Sequence, residues 1–261
     1  MKKIKINDIL KKKGKEPIVC LTSYTKNISQ ILDKYCDLIL VGDSMSMVLY
    51  GMKNTKDIKL NTMMLHAKTV KKYSKRSLVV FDMPYKSYEN KNEAYKNAKK
   101  VISYTKCDAV KLEGGKKIFE IIRYLTNKKI PVMGHVGLLP QKVKKYKTQG
   151  MNSKERNRIF NDALSVSKAG AFAMVIECVV ESLAKKITKS ISIPTVGIGA
   201  SKYCDGQILV TEDMIGLNNI SAKFVKRYSN IRKIIGESVK MYCQEVKKRK
   251  FPSSKNIYNS K

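Results

Sequence analysis

The chain has 261 residues, 43% of them hydrophobic, and a formal net charge of +32. That is enough chain for one α/β barrel, and no apolar run approaches the roughly 18 residues that a membrane-crossing helix needs. Only seven of the 53 basic residues are Arg, and the lysines are spread along the whole chain, so the charge reads as solvated helix faces rather than a dedicated nucleic-acid surface.

Residues 1–16 form a basic lead-in with a short predicted helix over 6–12, and they contain no apolar segment of the secretory kind. A first strand is predicted over 17–23 and a helix over 24–35. The second strand, 38–43, ends in Gly42-Asp43-Ser44 and opens a polar loop over 44–61. A helix over 62–73 leads to strand three at 78–83, stopped by Pro84. A helix over 92–105, strand four at 109–113, a helix over 116–126 and strand five at 130–136 follow. An irregular stretch, 137–154, precedes a helix over 155–169 with Gly170 as its C-terminal cap. Strand six (172–178), a helix (181–190), strand seven (193–198) and a short strand eight (206–211) complete the alternation. A terminal helix over 231–249 leads into a polar tail, 250–261, expected to fray.

These strands are apolar throughout rather than alternating, which indicates burial on both faces and hence a parallel sheet. Eight βα repeats in one domain point to a (β/α)8 TIM barrel. An open doubly wound sheet is the second architecture, weakened because no G-x-G-x-x-G follows the first strand. None of the six cysteines falls in a C-x-x-C pair, so reduced thiols and a cytoplasmic location are expected.

Polar groups recur at the C-terminal ends of these strands: Asp43, Asp82, Lys111 with Glu113, His135 and Glu177. In a barrel those ends share one rim. Strand periodicity sets Val41, Val80, Ala109, Met133 and Val175 beneath them as an apolar layer. Taken singly, each acid is better explained as a helix cap or a lysine partner, Ser44 can be a loop cap, and His135 is equally well explained as a hydrogen-bond partner of nearby backbone. As a set, converging carboxylates need a counter-charge, and oxygen ligands favour Mg²⁺ over zinc.

The stretches VGDSMSMVLYG, FDMPY, AVKLEGG, GHVGLLPQ, VIECV, PTVGIGA and DGQILV occur in that order between residues 17 and 224. In this the chain resembles the ketopantoate hydroxymethyltransferase (3-methyl-2-oxobutanoate hydroxymethyltransferase) family. The resemblance implies a barrel of the phosphoenolpyruvate/pyruvate type. It implies transfer of a hydroxymethyl group from 5,10-methylenetetrahydrofolate to 3-methyl-2-oxobutanoate through a Mg-stabilised enolate, giving 2-dehydropantoate for pantothenate biosynthesis. By the same resemblance Asp43 and Asp82 are Mg²⁺ ligands, with Glu113 completing the metal surroundings. Asp43, Ser44, Asp82, Lys111 and His135 contact the keto acid, and Glu177 accepts the proton. A large homo-oligomer, a decamer in size, is implied, with no membrane partner and no specific nucleic acid.

The chain departs from the family pattern at Ser46, where Gly is usual, at Met151, where Arg is usual, in the lysine-rich loop 50–61, and over residues 218–222. These changes bear on folate affinity and loop closure. Two further readings stand beside the transferase. One is a Mg-dependent barrel lyase acting on a 2-oxo or 2-hydroxy acid, although the loops after strands four and five lack the cysteine such lyases often use. The other is a basic nucleic-acid-binding protein built on a barrel scaffold.

Overall fold

Eight apolar runs become eight strands: β1 (Ile18–Thr22), β2 (Leu38–Val41), β3 (Leu78–Asp82), β4 (Ala109–Glu113), β5 (Val132–Gly137), β6 (Ala173–Glu177), β7 (Thr195–Ile198) and β8 (Gly206–Leu209). All neighbouring pairs are parallel, and β8 pairs back onto β1, so the sheet closes into a barrel in sequence order. The computed structural model describes residues 2–143, 146–219 and 222–258. It separates into two units, Met1–Thr211 and Glu212–Lys261.

The first unit carries helices α1 (Ile6–Lys11), α2 (Lys26–Leu32), α3 (Met45–Val48), α4 (Leu60–Tyr73), α5 (Lys91–Thr105), α6 (Phe119–Asn127), α7 (Ser153–Lys168) and α8 (Glu181–Ser190). Asn90 and Asn152 start α5 and α7 by accepting the N–H of Glu93 and Glu155. Gly170 follows α7 at φ +92°, a backbone region that L side chains avoid. Strand five begins at Val132 rather than 130, after Pro131, which has no N–H to donate to a ladder. Helix α6 is preceded by a 3-10 turn at Lys116–Ile118.

Two apolar layers hold the barrel. Outward-facing Ile39, Val41, Val79, Phe81, Val110, Leu112, Val132, Val136, Met174 and Ile176 pack against the helices. Leu38, Leu40, Leu78, Val80, Ala109, Met133, Ala173, Val175, Val196 and Ile208 fill the interior. The expected interior layer is therefore correct at Val80, Ala109, Met133 and Val175 and wrong at Val41, whose place is taken by Leu40. Alternation holds only while the chain stays extended. Here β2 ends at Val41, and the chain turns at Gly42 into α3, with Ser46 N–H already donating to the Asp43 carbonyl.

Helix α1 packs Ile9, with Ile4, Ile6 and Leu10, into the interior cluster beside Ile18, Leu38, Leu78 and Phe172, and so stoppers the N-terminal end of the barrel. The lead-in is fastened by Lys3 to Asp108, Lys12 to Asp37 and Lys13 to Asp205, at 3.1, 3.3 and 2.8 Å.

The second unit holds α10 (Ile231–Lys247), a short 3-10 turn at Ser254–Asn256, and most of α9 (Thr211–Met214), which ends strand eight earlier than expected. The Tyr228 and Ile231 N–H groups donate to the Met214 and Ile215 carbonyls, and Tyr242 meets Phe251 edge-on. Of the unusual 218–222 segment and the expected fraying tail, residues 220–221 and 259–261 lie outside the described residues.

Candidate active site

The register of the sheet brings the rim residues level. Asp82 pairs with Lys111, Glu113 with His135, and Glu177 with Gly137. Lys111 Nζ donates to both oxygens of Asp82, at 2.7 and 2.8 Å, and lies 3.9 Å from Glu113. His135 stands between two carboxylates, Nδ1 at 3.4 Å from Glu113 and Nε2 at 3.2 Å from Glu177. Neither His135 contact is a well-aligned hydrogen bond, so the attraction is that of a close ion pair. The predicted set thus meets in one place, with Asp43 alongside: its N–H approaches Asp82 Oδ2 at 3.4 Å.

Nearly all of this charge is out of water. Asp43, Asp82, Lys111, Glu113 and His135 are buried, and only the Glu177 side chain keeps partial exposure, at 15%. Burial pushes the Asp43 carboxyl well above the ordinary range, and the neighbouring charges of Asp82 and Glu113 push it further. Burial also raises Asp82, against the pull of Lys111. Glu113 is raised by burial but ends below its usual value because His135 and Lys111 face it. Burial and Lys111 lower His135, yet Glu113 and Glu177 outweigh them and lift it to about 9. His135 is then an imidazolium, with both nitrogens turned to acids.

Two residues of the site were not singled out from the sequence. Gln141 is 1% exposed and donates Nε2 to Asp43 Oδ2 at 2.9 Å and to the Met83 carbonyl at 3.0 Å. Its backbone N–H donates to Glu113 Oε2 at 3.1 Å. Tyr88 donates its hydroxyl to Gln141 Oε1 at 2.6 Å and accepts the Glu113 N–H at 3.2 Å. Together they fix the angles of Asp43 and Glu113 from behind. Gln141 was visible only as the last letter of GHVGLLPQ.

Ser44 does not cap α3 with its side chain. Its Oγ lies 2.8 Å from the Tyr24 hydroxyl, at the edge of the Asp43 turn. Ser46 is fully buried and donates Oγ to the Asn54 carbonyl at 2.9 Å, so it pins the loop that follows. Met151 is 70% exposed. Cys178, next to Glu177, adopts φ +49°, and its carbonyl accepts the Gln149 N–H at 2.7 Å, which ties the loop after β5 to the end of β6. Of the glycines of GIGAS, Gly197 lies in β7 and pairs with Gln207, and only Gly199, at φ +58°, makes the turn after it. All six cysteines are free thiols.

Four carboxylates here face two cations, Lys111 and His135. Full ionisation of all four would need added positive charge, and the donors present are oxygens, which suits Mg²⁺. Among the described residues, no three Asp, Glu, His or Cys side chains close on one point by themselves. A site of one or two protein carboxylates completed by water and substrate is the usual Mg²⁺ arrangement, and this donor set fits it.

The family model described as ketopantoate hydroxymethyltransferase matches residues 3–254. Curated relatives called 3-methyl-2-oxobutanoate hydroxymethyltransferase include one from Pelagibacter ubique, 52% identical over 97% of this chain and 99% of its own. Another, from Anaplasma marginale, is 48% identical over 98% of this chain and 94% of its own. Among solved structures, a phosphonopyruvate hydrolase complexed with oxalate and Mg²⁺ superposes with a TM-score of 0.62 at 10% identity, covering 97% of this chain and 93% of that one. A 2,3-dimethylmalate lyase of the PEP mutase/isocitrate lyase superfamily gives 0.60 at 13% identity, over 80% and 79% of the two chains. At those identities the likeness is one of fold, and it matches the expected barrel type.

Proposed function

The chain belongs to the ketopantoate hydroxymethyltransferase family, and from that premise we propose that it transfers a hydroxymethyl group from 5,10-methylenetetrahydrofolate to 3-methyl-2-oxobutanoate. The product is 2-dehydropantoate, a precursor of pantothenate. The observation that carries this reading is the convergence of Asp43, Asp82, Lys111, Glu113, His135 and Glu177 on one buried rim.

Asp43 and Asp82 would hold Mg²⁺, with Glu113 reaching it through water. Once bound, that ion supplies positive charge at the carboxylate and keto oxygens of the substrate. Lys111 adds a fixed charge on the same side, and Ser44 and His135 border the substrate. Glu177 takes the C3 proton. A carboxylate is a weak base for such a carbon acid, so charge placed at the keto oxygen must do most of the lowering. Overall, the C3–H bond and the donor's two carbon–nitrogen bonds break, the C3–CH2 bond and a CH2–OH bond with oxygen from one water form, and the C3 proton and the remaining water proton end on the two donor nitrogens. His135, cationic between Glu113 and Glu177, holds both carboxylates in position.

Deuterium exchange at C3 of 3-methyl-2-oxobutanoate tests this before any product is sought. Wild-type exchange is expected to require Mg²⁺, and Glu177→Gln is expected to keep substrate binding while losing exchange. Undiminished exchange in that variant removes Glu177 from the base role. Salt-sensitive retention on nucleic acid, with no metal-dependent exchange, would favour the basic-scaffold reading instead.

We also propose a homo-oligomer. Helix α10 has no buried residue, and Ile235, Val239, Tyr242 and Val246 line one face of it in the open. Sedimentation should show an assembly, a decamer if the family resemblance extends to size, and a monomer at micromolar concentration would contradict it. No helix among the described residues is long and apolar enough to cross a membrane.

A further inference from the structure

The loops after β4 and β5, with the first turns of α7, enclose a cavity of about 680 Å³. Lys116, Lys117, Lys142 and Arg158 line it, against one carboxylate, that of Asp162. That carboxylate is already engaged: Oδ1 accepts the Lys116 N–H at 2.8 Å, and Arg158 lies 3.7 Å from Oδ2. The basic groups gather here: burial lowers Lys142 most, Glu113 and Asp162 pull it up, and Lys117 pushes it down. These basic groups converge on a concavity of the size that holds small ligands.

The cavity begins where the catalytic rim ends. Gly114 follows Glu113, and Lys142 follows Gln141, which holds Asp43 and Glu113. Gly137 pairs with Glu177, so closely that a Cβ there would come within 2.4 Å of the Glu177 carbonyl oxygen. A Cβ on Gly115 would strike the Asp162 carboxyl at 2.0 Å. Bare backbone is what lets this wall close, and it leaves an anion free to approach.

We propose that this cavity is an anion subsite that seats the glutamyl carboxylates of the folate donor. The assignment rests on the folate reading above and adds where the donor's charged end lies. Four cations in a lining that holds one carboxylate, with Arg158 also 3.8 Å from Glu155 outside it, match a flexible chain of carboxylates better than a neutral ring. The subsite adds affinity for the donor and takes no part in proton abstraction.

The test uses the full-length protein and the double variant Lys117→Gln/Arg158→Gln, both at exposed positions. First, tri-γ-glutamate alone is titrated calorimetrically at low salt. The wild type is expected to bind it, and the variant to bind it about tenfold more weakly, as loss of charge-assisted contacts predicts. Second, transfer is measured with monoglutamyl and triglutamyl 5,10-methylenetetrahydrofolate. The variant's KM should rise about tenfold for the triglutamyl donor and much less for the monoglutamyl one, with kcat little changed. Equal peptide affinity in the two proteins, or equal KM changes for the two donors, overturns the subsite. So does binding of inorganic phosphate without binding of the peptide. Absence of transfer from either donor in the wild type would sink the donor reading, whereas peptide binding needs no turnover and judges the subsite separately.

Discussion

The two ends of the barrel use aspartate in opposite ways. At the N-terminal end four aspartates are satisfied. Asp33 accepts the N–H groups of Lys75, Arg76 and Ser77 at 2.7–3.0 Å. Asp37, Asp108 and Asp205 each enter an even-numbered strand after a cysteine, and each accepts an N–H from the strand before it: Val19, Val79 and Thr195. Each is also paired with a lysine of the lead-in. At the C-terminal end, Asp43, Asp82 and Glu113 are as deeply buried but share too few cations. Full satisfaction makes a floor; a deficit of positive charge makes a place for a ligand.

Four changes would break or sharpen that contrast. Lys111→Met should cost turnover most, about a hundred- to a thousandfold, because a fixed charge near the reacting oxygens is lost; steady-state kinetics at saturating Mg²⁺ reads it, and near-wild-type turnover would remove Lys111 from the reaction. Asp205→Ala should leave turnover of folded protein intact but lower stability by about 3 kcal/mol, since Lys13, Gly14 N–H and Thr195 all lose their acceptor. Urea unfolding followed by fluorescence of the tyrosines measures it.

Asp33→Asn should cost about 2 kcal/mol at neutral pH, in keeping with hydrogen bonds to a charged acceptor. Burial raises the Asp33 carboxyl, but three backbone donors outweigh it and hold the group below its ordinary value. A carboxylate depressed on folding stabilises fully above its unfolded pKa, about 3.9, and that contribution drains away as pH falls below it through the folded value. The gap between wild type and variant should therefore shrink in acid, and a gap independent of pH would refute this origin. The smallest effect is expected at the other rim. Asp43→Asn should raise stability without metal by about 1 kcal/mol, because a carboxyl whose charged form burial, Asp82 and Glu113 all disfavour is replaced by a neutral amide. Loss of stability there would mean that the C-terminal rim is not short of positive charge.

Much of this architecture was legible because the strands are apolar runs of similar length with polar ends. The order of elements, the closed barrel and the six rim residues all follow from that recurrence. Val41 was misread because alternation was carried past the end of β2, where the chain had already turned at Gly42. Gln141 and Tyr88 stayed hidden because their partners are not periodic neighbours: Gln141 reaches Asp43 across 98 positions and Tyr88 across 53. The aspartates of the floor were not singled out from the sequence. Their repeat, Cys-Asp before β2, β4 and β8, acquires meaning only when the strands are laid side by side.

The segment of the stopper helix is tied to the start of the eighth strand. Lys13 meets Asp205 across 192 positions, and Gly14 meets the same carboxylate across 191. On the ribosome this segment has no complete seat until the eighth strand has emerged, so its apolar face waits until then. Sealing of the base is thus a late event that reports the arrival of the last strand, and an N-terminal extension that delayed it would leave the newborn barrel open to aggregation.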